Sequence, residues 1–123
     1  MKARNITVGA RLRVVLEPNI AIGPGKADLL EGIAETGSIA AAGRRMKMSY
    51  KRAWTLVETM NACFHSPLVE TSRGGQARGG ASLTETGREV LALYRQMEVS
   101  AEGAIAEDLA NLRRLLADMS EEK

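Results

Sequence analysis

Cysteine is almost absent from this chain of 123 residues: Cys63 stands alone, which excludes an intramolecular disulfide and any CxxC metal or redox pair. Histidine is as scarce. His65 is the single one, with no cysteine or acidic cluster at ligand spacing, so no metal site, no nucleophilic triad and no enzyme activity is expected. No run approaches the roughly 18 apolar residues of a membrane span, and the start MKARNITVGARLRV has no continuous apolar segment of a signal peptide. A cytoplasmic protein with no membrane partner is therefore expected. Cys63, between Met60 and Phe64 near the end of an apolar stripe, is expected to be a buried structural thiol.

The most telling scarcity is local. From Thr36 to Val57 the chain reads TGSIAAAGRRMKMSYKRAWTLV, 22 residues without one acid, although acids average about one residue in eight overall. Five basic residues lie within it. A second acid-free stretch, TSRGGQARGGASLT, runs from Thr71 to Thr84. The net charge is only +2, but its distribution is uneven: residues 1–84 carry 12 basic and 6 acidic side chains, residues 85–123 carry 5 and 9. A basic body joined to an acidic tail favours a polyanion as partner of the body and a different task for the tail.

Hydrophobic content of 45% supports one core, and the length suits one domain. Residues 8–17 (VGARLRVVLE) alternate, with Ala10, Leu12, Val14 and Leu16 on one face, which predicts a half-buried strand ended by Pro18 and Asn19. The following IAIGPGK reads as a turn. Its GPGK lacks the spacing and the hydroxyl residue of a phosphate-binding loop. ADLLEGIAETG predicts a first helix closed by Gly37. Ser38 is a good N-cap for a two-turn second helix with Ile39, Ala42 and Met46 on one face. After a turn at Lys47 and Met48, Ser49 caps a third helix whose Ala53, Val57, Met60 and Phe64 form its buried stripe. Pro67 ends that helix. Residues 68–70 and 81–83 read as paired strands around a Gly-rich loop.

Thr84 caps a last helix along which Val90, Tyr94, Met97, Ala101, Ile105, Leu109, Leu112, Leu116 and Met119 recur at spacings of three and four. A helix of that length outreaches a small domain. Its seam predicts dimerisation, with Val90, Tyr94, Met97, Ile105, Leu109, Leu112 and Leu116 as the contact residues.

These elements amount to a mainly α fold with a small β-wing: a winged helix-turn-helix over residues 1–84, a continuous dimerisation helix over 85–119, and a tail over 120–123. Ala40, Ala41, Ala42 and Gly43 permit close helix approach, while Met46 and Met48 seat the turn. Ser49, Tyr50, Lys51, Arg52 and Thr55 are then presented outward, suited to major-groove base edges and phosphates of double-stranded DNA. Arg44, Arg45 and Lys47, on or near the turn, suit phosphates. In the wing, Gly74–Gly75 and Gly79–Gly80 allow close backbone approach, and Arg73, Gln76 and Arg78 can reach phosphates or the minor groove. Tyr50 and Trp54, at i and i+4, can touch. Trp54 is expected to pack against the first helix or wing; Tyr50 suits packing or readout equally.

The stretch SIAAAGRRMKMSYKRAWTLVETMN, followed by GGQARGGASLTETG and the long helix, resembles the amino-terminal DNA-binding domain of the ModE molybdate-responsive regulators, and more distantly the LysR-type winged helix. Ser49-Tyr50-Lys51, Ala53-Trp54, Met60-Asn61, the double-glycine wing and Leu83-Thr84 before Gly87 carry the resemblance, which covers roughly residues 10–116. It implies a homodimeric transcription factor on an inverted-repeat operator. In that family oxyanion-binding domains follow, and no counterpart is expected in these residues, so neither molybdate nor any cofactor is assigned to them. A protein-interaction module that heterodimerises with a larger regulator is the alternative function.

Overall fold

Pro24 opens the first helix where a missing N–H costs nothing and a fixed φ suits the turn. That helix belongs to a computed structural model that describes residues 9–72 and 80–117. The order is β1 (Val14–Glu17), β2 (Ile20–Ile22), α1 (Pro24–Thr36), α2 (Ile39–Arg45), α3 (Tyr50–Cys63), β3 (Val69–Ser72), β4 (Gly80–Leu83) and α4 (Glu85–Arg114).

Helix α1 ends at Gly37, whose φ of 74° is left-handed and whose N–H reaches the Ile33 carbonyl at 2.8 Å. Ser38 caps α2 by accepting the Ala41 N–H at 3.0 Å, and Ser49 caps α3 by accepting that of Arg52 at 3.1 Å. Small residues bring the three helices together. A β-carbon on Gly32 would stand 3.0 Å from that of Ala42, and one on Gly43 3.0 Å from that of Ala53. Leu29, Leu30, Ile33, Ile39, Val57, Met60, Leu68, Val69 and Leu83 fill the core around these crossings, with Met46, Met48 and Trp54 against it.

Strands β3 and β4 pair antiparallel from Val69↔Leu83 to Ser72↔Gly80. The hairpin is tied to the helices at two places. The Ala81 N–H donates to the Gly37 carbonyl at 2.9 Å, holding β4 to the α1–α2 turn. Asn61 on α3 accepts the N–H groups of Leu68 and Val69 and donates to the Val69 carbonyl, at 2.8, 3.0 and 3.1 Å. Leu68 and Val69 are buried, so the Asn61 amide supplies partners that water does not.

Three expectations are corrected. The amino-terminal strand is shorter than 8–17 and is one arm of a hairpin whose second arm, Ile20–Ile22, falls in the segment expected to be only a turn. A register irregularity between Val15 and Glu17 turns Leu16 outward, where it is 50% exposed rather than facing the core. Cys63 is half-buried, because it lies at the very end of α3 where the stripe leaves the core.

The third correction concerns α4. Thr84 caps it, accepting the Gly87 N–H at 2.9 Å, and helix geometry ends at Arg114. Tyr94, expected on a dimer seam, is fully buried in its own chain, in a second cluster with Ile22 and Ala27. Its hydroxyl donates to the Leu12 carbonyl at 2.6 Å. Val90 also packs inward, touching both clusters. The spacing that reads as one seam is thus divided: its first turns cover the head, and Ile105, Leu109, Leu112 and Leu116 continue beyond it, with Leu112 62% and Leu116 68% exposed.

Arg95 fixes the angle at which α4 leaves. Its guanidinium binds Asp28 (2.9 Å) and Glu31 (2.6 Å) on α1 and Glu98 (3.0 Å) one turn along α4. Burial opposes the Arg95 charge, but these carboxylate hydrogen bonds prevail and its pKa is raised.

Candidate nucleic-acid interface

Helices α2 and α3, joined by a four-residue link, present one continuous basic face. Arg44, Lys47, Ser49, Tyr50, Lys51, Arg52 and Thr55 are all exposed. Among the described residues, no ion pair occupies Arg44, Lys47, Lys51 or Arg52. The first turn of α3 holds no acid, so its N-terminal dipole adds to the positive field rather than being neutralised. Ser49, Lys51, Arg52, Thr55 and Leu56 line a shallow concavity on this face.

Lys47 has a φ of 60°, the only positive φ at a non-glycine residue among those described. The left-handed conformation costs a lysine roughly 1–2 kcal/mol relative to ordinary backbone. The turn is held by the Gly43 carbonyl, which accepts the N–H of Met46 and of Met48, each at 3.0 Å. An exposed cation thus stands where glycine or asparagine would be easier.

Arg45 differs from its neighbours in having a partner: it pairs with Glu35 near the end of α1, both half-exposed. Its charge is partly neutralised there. Glu35 just precedes the acid-free window, so no reading along the chain links it to Arg45; only the α1–α2 crossing does. Arg73, Gln76 and Arg78 lie outside the described residues. The flanking strands bring both ends of their loop to the α1–α2 turn, beside Gly37.

Asn61 and Arg95 are the positioning residues that composition and periodicity did not single out. One ties α3 to the wing, the other ties α4 to α1. Asn61 left a faint signal, a lone amide at the last inward turn of an apolar stripe before proline.

A helical head with a two-stranded wing, a capped and unpaired basic second helix of the motif, and a long outgoing helix together define the winged helix-turn-helix class. A family model, "Bacterial regulatory helix-turn-helix protein, lysR family", matches residues 26–88. The chain belongs to that family. It is 36% identical over 96 residues to the molybdenum transport protein ModE of Azotobacter vinelandii, covering 78% of this chain and 36% of that one. To the DNA-binding transcriptional dual regulator ModE of Escherichia coli K12 it is 34% identical over 113 residues, 89% of this chain and 43% of the other. It therefore spans less than half of the length of these relatives. A solved complex of the CbnR DNA-binding domain with DNA has the same fold, at a TM-score of 0.55 and 23% identity, covering 71% of this chain and 95% of that one.

Proposed function

We propose that this chain is a DNA-binding transcriptional regulator that acts as a homodimer on an inverted-repeat operator. The observation that carries the reading is the acid-free basic head of α3, free of ion pairs among the described residues and mounted on a helix-turn-helix. Arg44 and Lys47, with Arg73 and Arg78 of the wing, contact phosphates and set the register; Ser49, Tyr50, Lys51, Arg52 and Thr55 meet base edges. The mechanism is occupancy, not catalysis, and invokes no cofactor. The ModE relatives, named as transcriptional and molybdenum transport proteins, support a molybdenum-related regulatory setting in the cytoplasm.

The second copy pairs along Ile105, Leu109, Leu112 and Leu116. A twofold dimer sets two recognition helices against half-sites about one helical turn apart. With ~4 phosphates neutralised per subunit, log K should fall against log salt with a slope of about −7. The test is a fluorescence anisotropy titration of Lys51→Ala and Arg52→Ala on the bound duplex. Both should weaken binding at least tenfold with an unchanged circular dichroism spectrum; unchanged affinity would remove α3 from the interface.

A further inference from the structure

At the head of α3 the rings of Tyr50 and Trp54 are stacked, with centroids 6.3 Å apart and planes 24° from parallel. Their environments differ. Trp54 is half-buried and packs against the main core, whereas Tyr50 is 57% exposed. The Tyr50 ring thus stands beside a side chain that packs on the core, while more than half of Tyr50 stays exposed. The ring is fixed in direction before any partner arrives, which removes much of the ordering cost of a contact.

This exposed ring sits between Ser49 and Lys51, on the first turn of the helix. It is an apolar surface within a basic, acid-free patch. Of the groups that base pairs display in the major groove, one is apolar: the 5-methyl of thymine. A ring laid against a donor or acceptor edge would leave that edge without a hydrogen-bond partner, whereas against a methyl both surfaces leave water favourably.

We propose that Tyr50, held in place by Trp54, reads a thymine 5-methyl group in each half-site. Tyr50 makes the contact; Trp54 is a positioning residue. The proposal rests on the DNA-binding function proposed above and adds a base and an atom to it. A phosphate contact by the Tyr50 hydroxyl is the competing use of the same residue, and it would need neither the stack nor the exposed ring.

The experiment uses the duplex that the full chain selects from a random pool, with each thymine replaced in turn by deoxyuridine, which pairs identically and lacks only the methyl. Anisotropy titrations are run with the wild-type protein and with Tyr50→Phe, Tyr50→Ala, Trp54→Phe and Trp54→Ala. One thymine per half-site should cost the wild type about fourfold in Kd when its methyl is removed, the effect of burying one methyl-sized group. Tyr50→Phe and Trp54→Phe should keep that ratio. Tyr50→Ala should bring it to one, and Trp54→Ala should reduce it, at whatever absolute affinity remains. Equal binding of thymine and uracil duplexes by the wild type would overturn the proposal. So would discrimination that persists in Tyr50→Ala or disappears in Tyr50→Phe, or a selected site with no fixed thymine. Failure of the wild type to select any duplex would instead refute DNA binding itself, and the methyl contact with it.

Discussion

Gly87, in the first turn of α4, lies flat against the backbone of Leu68: a β-carbon at position 87 would overlap the Leu68 carbonyl oxygen and stand 2.9 Å from its carbonyl carbon. That same carbonyl accepts the Thr84 N–H at 2.9 Å, so it cannot swing aside without losing the junction of wing and helix. Gly87→Ala improves helix propensity by about 1 kcal/mol, yet the overlap with backbone outweighs it. A net loss of about 2 kcal/mol or more is expected, read as a lower urea midpoint at unchanged slope.

Lys47 offers the opposite trade. Glycine adopts its φ of 60° without steric cost, so Lys47→Gly should stabilise the head by up to about 1 kcal/mol. It should also remove one phosphate contact per subunit, lowering the salt slope by about 2 for the dimer. Thermal unfolding and a salt series on the same preparation would show both changes together.

Alkaline stability should depend on Tyr94. Burial, and then the charge of Glu98, push its pKa from 10 up to about 12, because the neutral phenol is what the site and the Leu12 carbonyl accommodate. The folded state therefore holds its proton more tightly than the unfolded chain. This contribution is complete below pH 10, and stability falls as pH rises from about 10 to 12, by at most about 2–3 kcal/mol. Tyr94→Phe should lose about 1 kcal/mol at pH 8 with its hydrogen bond, and should lack that alkaline slope. Urea titrations at pH 8 and pH 11 would compare the two.

The outer half of α4 should govern assembly without governing the fold. Leu112→Glu, at a residue 62% exposed in the single chain, should leave the circular dichroism spectrum unchanged and remove the rise of the unfolding midpoint with protein concentration that dimerisation supplies. It should also convert a dimer to a monomer in light scattering, and weaken binding to an inverted repeat far more than to a single half-site. A wild-type protein that scatters as a monomer at high micromolar concentration would contradict the homodimer.

Local physics made the helical head readable from the chain. Ser38, Ser49 and Thr84 each cap the helix expected of them, and Gly37 closes α1 in the left-handed conformation that its residue type invites. Ala53, Val57 and Met60 of the α3 stripe are buried where periodicity places them, while Phe64, just past the helix end, is half-buried. What escaped depends on tertiary approach. Spacing cannot separate a helix face covered by its own head from the same face continued outward, so Tyr94 and Leu109 look alike in sequence. The strand Ile20–Ile22 is three residues flanked by turn formers, and it becomes a strand only through pairing with β1. The basic cluster was visible as a lack of acids, yet which cations stay unpaired was not, because Glu35 meets Arg45 across two helices.

Selection of bound sequences from a random duplex pool by the purified chain is the most direct test of the central claim. The predicted result is an inverted repeat whose half-sites lie about one helical turn apart. Recovered duplexes no more alike than the starting pool, with no retention above background at low salt, would contradict it.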